Sequence, residues 1–291
     1  MSTIHDSKVE PAPGSAADPY RYGWRYVARE RPDGGVDSVP VPLTLDDLLF
    51  PLEEDFAVQH STHIEDCYYL LGAFQIRTTG DPTAKVLCDC RVRWDVPGLE
   101  PLGPDVAVFF GAPEGWQGGT LDVAGTGARP ALVIEVTSPD TRINDFGVKK
   151  HFYHQARVPL YVIVDARTGG PEREVKLLGF RHAPGGYEPM PLDDRGRLWL
   201  EPFDLWLAVA GGRVVCIDGP TGEPIVDFAT ALQQNADARA QAADARDQAA
   251  DARDQADRAA LTLAEAEARA DRADARILAM QEELRRLRGP G

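Results

Sequence analysis

Two carboxylates and one lysine, far apart in the chain, stand where they could hold a divalent metal ion against a phosphate. Asp105 opens the apolar run 106–110, and Glu135 interrupts another apolar run at 131–137. Lys149 follows on a stretch with helical spacing. Burying a carboxylate in an apolar strand is unfavourable unless the group is paired or coordinates a metal. We therefore expect Asp105 and Glu135 to bind a metal that activates water, and Lys149 to stabilise a charged transition state.

Each of these three residues also has a structural explanation. Glu135 could be a paired structural carboxylate or lie at an exposed edge, and Asp105 could be a turn residue. Lys149 could form an ion pair with Asp145, four residues earlier, on a solvated helix face. Lys150 is its rival, but adjacent helical residues are separated by about 100°, so only one lysine can face a sheet.

Six further residues are candidates for accessory roles in the same cleft. Two histidines and an acid share an early predicted helix, where such side chains are usually structural or solvated. An arginine at the start of a later helix could contact phosphate, although a surface arginine is the simpler interpretation. A tyrosine and an aspartate on the following strand could support the metal ligands from behind. In chain order these residues are His60, His63, Glu65, Arg142, Tyr161 and Asp165.

The spacing of apolar residues predicts the elements that position these groups. Apolar residues at Ile64, Cys67, Tyr68, Leu71 and Phe74 predict a helix over 60–74, and a second helix is expected at about 142–156. Strands are expected at about 84–94, 105–111, 131–137 and 160–166, with a Gly-rich loop, and possible short hairpin, at 112–129. The fold class is therefore a mixed α/β or α+β sheet with few helices.

Shorter elements are expected on either side of this region. The aromatic run from Tyr20 predicts an edge strand, the turn at 32–35 a hairpin, and Thr44 the N-cap of a helix over 45–49. A further hairpin is predicted from 173–181 and 186–191. Short strands are expected at 198–200 and 213–217.

Three regions of different composition predict the domain organisation. Residues 1–20, rich in Pro, Ala, Ser and Asp, should be a flexible tail, and 21–228 a globular domain. From 229 to 288 the chain is a predicted coiled-coil helix, since one heptad register holds from 242 to 287. Its seam is mostly alanine, so association should depend on the large side chains Leu263, Ile277, Met280, Leu284 and Leu287. A solvated single helix is the other interpretation.

Charge and cysteine content limit the class of protein. Residues 231–291 hold 12 acidic and 10 basic residues, so the other 230 residues, with 34 acidic and 21 basic, carry −13. This charge disfavours tight non-specific DNA binding by a monomer, although the net charge does not rule out a local basic groove. No apolar run is long enough to span a membrane, and the N-terminus does not resemble a secretory signal. The four cysteines fit no common zinc pattern, and we expect reduced thiols in a cytoplasmic protein.

The order and spacing of these motifs resemble a known family. Pro104-Asp105 is followed by the runs 133–141 and 145–153, which carry Glu135 and Lys149, and by Val158 to Asp165. This pattern is similar to the Uma-type restriction endonuclease family, a branch of the PD-(D/E)XK nucleases, over about residues 40–210. The resemblance implies a restriction-endonuclease-like mixed sheet flanked by helices, a Mg²⁺ (or Mn²⁺) cofactor and hydrolysis of phosphodiester bonds in nucleic acid, most simply DNA.

The same resemblance implies site residues, with one departure from the superfamily pattern. The family's metal-binding acids fall on Asp105 and Glu135. The usual lysine, two residues after the glutamate, would fall on Thr137, and in this branch a helix lysine substitutes, which here is Lys149. Two functions therefore stay open: a Mg²⁺-dependent endonuclease joined into a homodimer or larger homo-oligomer through 242–287, or a catalytically silent scaffold that keeps the nuclease fold and binds proteins.

Overall fold

A computed structural model of the chain describes residues 18–139, 141–167 and 173–287. Most of the tail predicted at 1–20 therefore lies outside the described residues. The chain divides into two units at the Phe228–Ala229 bond, and each is described by itself.

The first half of the globular unit contains short strands and one long helix. A Thr44 capping box begins the first helix, because the Thr44 side chain accepts from the Asp47 N–H and the Asp47 carboxylate accepts from the Thr44 N–H. The elements are β1 (Gly23–Glu30), β2 (Val36–Pro42), α1 (Leu45–Leu49), β3 (Phe56–Ala57), α2 (Ser61–Thr78), β4 (Lys85–Cys88), β5 (Arg91–Arg93), β6 (Val106–Phe110), β7 (Thr120–Asp122) and α3 (Val123–Thr126).

The second half supplies the remaining strands of the main sheet and a small antiparallel sheet. The elements are β8 (Arg129–Val136), α4 (Arg142–Phe146), α5 (Val148–Gln155), β9 (Leu160–Arg167), β10 (Glu174–Ala183), β11 (Gly186–Met190), β12 (Leu198–Leu200), β13 (Leu205–Ala210) and β14 (Arg213–Asp218). A 3-10 helix, Glu201–Phe203, lies between β12 and β13.

The main sheet has six strands in the order β11-β10-β9-β8-β6-β4. Among its described strands, only β8 and β9 are parallel neighbours, and the helices α4 and α5 connect them. Helix α2 packs on one face through Cys67, Leu70 and Phe74, and Tyr153 of α5 belongs to the core on the other face. The predicted fold class, a mixed sheet flanked by helices, is confirmed.

The alternation along β8 assigns each of its side chains to one face of the sheet. Leu132, Ile134 and Val136 belong to the core that contains α2, whereas Val133 belongs to the opposite core. Glu135 shares the face of Val133 and is therefore directed toward α5. The strand is buried on both faces, so its one carboxylate must find partners inside the protein.

Several predicted elements differ from the observed ones. The strand predicted at 84–94 is divided between two sheets, because Asp89 takes a left-handed conformation with φ 51°. The helix predicted at 142–156 ends and restarts at Gly147. The 112–129 loop contains no hairpin of its own, since β7 pairs in parallel with β5. The strand β13 was not predicted.

The buried face of α2 also differs from the predicted stripe. Tyr68 was placed on the stripe but is 64% exposed. The buried face instead includes the polar residues His63 and Asp66. Counting apolar residues alone misses these positions, because Asp66 is buried together with an arginine partner. The Nη2 atom of Arg173 lies 2.6 Å from Asp66 Oδ2.

The described residues of the C-terminal unit, which begins at Ala229, belong to one helix, α6 (Phe228–Leu287), of 60 residues. Its described side chains from 232 to 286 are exposed. The helix is confirmed, and its assembly into a coiled coil stays a prediction. Among the described residues, no helix is long and apolar enough to cross a membrane.

Candidate active site

Glu135 is fully buried, and both of its carboxylate oxygens accept short hydrogen bonds. Lys149 Nζ donates to Oε2 at 2.8 Å, and the Tyr153 hydroxyl donates to Oε1 at 2.6 Å. Lys149 and Tyr153 lie four residues apart on α5, so one helix face provides both donors. Each carboxylate oxygen still has a second lone pair with which it could bind a cation.

Lys149 is held between two acids rather than one. Its Nζ lies 3.2 Å from Asp145 Oδ1, and Asp145 is only 1% exposed. The sequence offered this ion pair as an alternative on a solvated helix face, and the pair is buried instead. Within the described part of the chain, no other group contacts the Asp145 carboxylate by a hydrogen bond or ion pair. Lys150 lies outside the cluster but also contacts the sheet, with its Nζ 3.6 Å from the centre of the Phe180 ring of β10, so the expectation that only one lysine can face the sheet was wrong.

Asp105 completes the group from the neighbouring strand. Its Oδ2 accepts the backbone N–H of Val136 at 2.7 Å, directly after Glu135. Its Oδ1 lies 3.5 Å from His63 Nε2 of α2. The Asp105 side chain is 14% exposed, which leaves it accessible from solvent. The structure thus brings Asp105, Glu135 and Lys149 to one place.

The charges of this cluster do not balance. Burial raises the pKa of Glu135, with Lys149 opposing that shift, and burial likewise raises the pKa of Asp145. Burial alone would lower the pKa of Lys149, but the charges of Glu135, Asp145 and Asp105 outweigh it and raise that pKa, so the amine stays protonated. Three carboxylates therefore share two cationic groups, the Lys149 ammonium and the protonated His63 imidazole beside Asp105.

A divalent cation fits such a site. Mg²⁺ and Mn²⁺ prefer oxygen ligands, and Asp105 and Glu135 supply carboxylate oxygens with unused lone pairs. The bound charge would also offset the excess negative charge around Lys149. The donor set is therefore compatible with the predicted Mg²⁺ (or Mn²⁺), with Asp105 the ligand most accessible to solvent.

The site that contains Asp105, Glu135 and Lys149 adjoins a cleft of about 690 Å³. Asp105 and Lys149 line it directly, whereas Glu135 lies behind them. Arg21 and Arg91 also line the cleft, as do the acids Asp47, Glu53 and Asp55. Asp89 lies there too, held by a hydrogen bond from Gln59 Nε2 to its Oδ2 at 2.7 Å.

The candidate accessory residues fall into two groups. Two of them, His60 and His63, line the cleft, and the Tyr161 hydroxyl donates to the backbone oxygen of Asp145 at 2.7 Å, which fixes α4 against the sheet. The other three residues form ion pairs elsewhere. Glu65 Oε2 lies 3.6 Å from Arg213 Nη1. Arg142 Nε donates to Asp165 Oδ1 at 2.7 Å. In the structure, Glu65, Arg142 and Asp165 are thus occupied by ion pairs outside the Asp105 cluster.

His63 should make the stability of the globular unit depend on pH. Burial alone would lower the pKa of His63, but its hydrogen bond to Asp105 and the Asp105 charge outweigh burial and raise the pKa to about 9. A raised folded-state pKa stabilises the fold fully below the unfolded value, about 6.5, and this contribution disappears as the pH rises to about 9. We expect a decrease of up to about 3 kcal/mol across that window.

The measurement is urea unfolding at several pH values in the presence of a chelator, for the wild type and His63→Gln. The wild type should lose stability between pH 6.5 and 9 relative to the variant. Parallel curves for the two proteins would show that the Asp105 contact does not raise the pKa of His63.

Comparison with known proteins assigns the chain to a family. One solved structure that the chain resembles is described as a putative nuclease belonging to DUF820 from Anabaena variabilis ATCC 29413. The two sequences are 14% identical, and the TM-score is 0.36. The match covers 62% of this chain and 82% of the chain of the solved structure. No curated protein matches the chain. Residues 56–210 match Uma2, a family described as "Putative restriction endonuclease". Since this match covers more than half of the chain and includes Asp105, Glu135 and Lys149, the protein belongs to the Uma2 family.

Proposed function

We propose that this protein is a metal-dependent endonuclease that hydrolyses phosphodiester bonds of nucleic acid, in the first place DNA. The observation that carries the proposal is the contact of Lys149 with Glu135 beside Asp105 at the wall of one cleft. The description of its family supports the same class of reaction. Membership alone does not give the chemistry, so the proposal depends on the residues.

Asp105 and Glu135 would hold Mg²⁺ or Mn²⁺ in this proposal. When bound, the metal supplies a water of lowered pKa and offsets charge on the scissile phosphate. The backbone N–H of Val136 fixes the Asp105 carboxylate, and Tyr153 fixes that of Glu135. Both acids are therefore pre-oriented before a cation arrives.

Lys149 has a separate role. Its ammonium stays protonated among acids and lines the cleft, so it can orient the attacking water or stabilise the extra negative charge of the transition state. Fixed positive charge at this point requires no reorganisation during the reaction. Arg21 and Arg91, on the same cleft, would position the nucleic-acid backbone.

The test is cleavage of plasmid DNA and of oligonucleotides with Mg²⁺ or Mn²⁺, comparing the wild type with Glu135→Ala. We expect the wild type to cleave, a chelator to stop cleavage, and the variant to lose at least about 100-fold, since even supporting partners of metal ligands contribute 10–100-fold. Lys150→Ala is the matched control, because Lys150 contacts the Phe180 ring instead of the cluster. Equal cleavage by the wild type and Glu135→Ala would refute the proposal.

The helix α6 would join two or more copies of the chain and bring paired active sites to two strands. Leu263, Ile277, Met280 and Leu284 lie on one predicted seam and are 53–66% exposed in the single chain. Alanine at most other seam positions buries little area, so these large side chains should provide most of the association free energy.

Sedimentation equilibrium tests this assembly. The wild type should sediment as a dimer or larger oligomer, and a double variant, Ile277→Asp with Leu284→Asp, should sediment as a monomer. The control is Leu278→Asp, since Leu278 is also exposed but lies one residue off the seam. A monomeric wild type at high concentration would remove the oligomer from the proposal.

A second candidate function is a scaffold that keeps the nuclease fold without catalysis. The observation in its favour is the charge of −13 outside residues 231–291, which repels a polyanion. The complete set of Asp105, Glu135 and Lys149 disfavours it, because a scaffold needs no buried, unbalanced acids. Metal binding separates the two functions.

A further inference from the structure

Three different ligand atoms meet at the edge of the Asp105 cluster. His63 and Cys67 lie one turn apart on α2, with Cys67 Sγ 3.5 Å from His63 Nε2. His63 Nε2 lies 3.5 Å from Asp105 Oδ1. A nitrogen, a sulfur and an oxygen ligand from these residues all lie within 4.8 Å of one another. Two elements, α2 and the segment before β6, thus present one compact donor set.

These separations match those of a tetrahedral transition-metal site. Zinc bonds of about 2.3 Å to sulfur and about 2.0 Å to nitrogen or oxygen place neighbouring ligand atoms about 3.5 Å apart. The two measured separations involving His63 have this value. One cation could therefore be bound with little movement of the side chains.

The kind of donor determines which metals bind. Thiolate and imidazole favour Zn²⁺ and related transition metals, whereas Mg²⁺ prefers oxygen and keeps several waters. The site would also be open on one side, because His63 and Asp105 line the cleft while Cys67 is buried behind them. Three protein ligands and one water is the arrangement of an open zinc site.

We propose that His63, Cys67 and Asp105 form a binding site for Zn²⁺ or a similar transition metal, distinct from the oxygen site of Asp105 and Glu135 but sharing Asp105 with it. Coordination forms metal–sulfur and metal–nitrogen bonds and breaks the S–H bond of Cys67 and the Nε2–H bond of the protonated His63, and both protons leave to solvent. Asp105 Oδ2 already accepts the Val136 N–H, so the Asp105 carboxylate coordinates two cations at once less well than it coordinates one. Bound zinc therefore withdraws Asp105 from Mg²⁺ and inhibits cleavage; this last step rests on the proposed function, and the binding itself does not.

The test uses Co²⁺ as a spectroscopic substitute for zinc, on the full-length protein without Mg²⁺. The wild type should develop a thiolate-to-cobalt charge-transfer band, and Zn²⁺ should displace the cobalt. Cys67→Ser should lose the band and weaken zinc binding roughly 100-fold or more, because the loss of a ligand exceeds the 10–100-fold cost of losing a supporting partner. Cys90→Ser should keep the band, since the Cys90 thiol donates to the backbone oxygen of Gly119 and is not part of this cluster.

Every outcome of this experiment is informative. If wild type shows no thiolate-to-cobalt band, or if Cys67→Ser keeps it, the proposed site is wrong. Thermal unfolding of Cys67→Ser establishes that the variant is folded, and His63→Gln provides a second ligand variant that should also weaken cobalt binding. Cleavage with Mg²⁺ is measured separately: a protein that binds cobalt through Cys67 but never cleaves would contradict only the nuclease function.

Discussion

Replacement of Lys149 by methionine should destabilise the globular unit by about 3–5 kcal/mol, the usual cost of removing one partner from a buried ion pair. The methionine side chain has a similar length, so little packing is lost. What is lost is the ammonium that lies between Glu135 and Asp145, both of which are almost completely buried. The two carboxylates must then bind protons or separate, and either change costs free energy.

Urea unfolding followed by tryptophan fluorescence measures this loss in the globular unit alone. All five tryptophans lie between positions 24 and 206, so α6 contributes no signal. The control is Lys150→Met, which removes an ammonium from the ring of Phe180 and should cost about 0.5–1 kcal/mol.

A double variant identifies the cause of the destabilisation. In Lys149→Met with Glu135→Gln, the uncompensated carboxylate becomes a neutral amide of the same shape, and part of the stability should return. Equal stability of Lys149→Met and Lys150→Met would show that Lys149 is not the partner that keeps these acids charged.

The sequence was sufficient to predict the convergence of three residues that are far apart in the chain. Successive side chains along β8 alternate between the two faces of the sheet, which separates Glu135 from Leu132, Ile134 and Val136. Because β8 and β9 pair in parallel, the chain must cross one face of the sheet between them. A helix in that connection directs Lys149 to Glu135, whereas the adjacent Lys150 contacts Phe180 of β10 in the same sheet. The side-chain periods of strands and helices, together with the rules of strand pairing, therefore predict which side of the sheet holds the cluster. These rules depend on backbone geometry alone.

Burial of polar groups was not predictable in the same way. The sequence offered Asp145 only as half of a possible surface ion pair, since the i,i+4 spacing is identical for exposed and buried pairs. What distinguishes the two is whether another layer covers the helix, and that depends on the whole sheet. The same limit explains α2, where His63 and Asp66 face inward because their partners, Asp105 and Arg173, come from distant segments.

Asp89 shows a different limit. Its left-handed φ of 51° divides one predicted strand into β4 and β5 and directs its carboxylate into the cleft. An aspartate adopts this conformation more readily than most residues, but the sequence Cys88-Asp89-Cys90 alternates like a continuous strand. Backbone conformation at a single residue is decided by tertiary contacts, here including the hydrogen bond from Gln59.

Asp105→Asn should distinguish the nuclease from the scaffold more sharply than any other change. The amide keeps the shape and one oxygen of the carboxylate but removes the charge, so Mg²⁺ or Mn²⁺ binding measured by calorimetry should become undetectable. Cleavage should decrease by at least about 100-fold, as for other losses at a metal centre. The wild type must first show metal binding under the same conditions.

The control for this variant is Asp66→Asn, a buried aspartate of α2 whose partners are Arg173 and Arg213. It should reduce stability without abolishing metal binding, because Asp66 does not line the cleft. If the wild type binds neither Mg²⁺ nor Mn²⁺, or if Asp105→Asn binds them equally well, the acids serve only the fold and the scaffold function is favoured. The reason is physical: an unbalanced cluster of buried acids is stabilised either by a cation or by protons, and only a cation can activate water for attack on a phosphate.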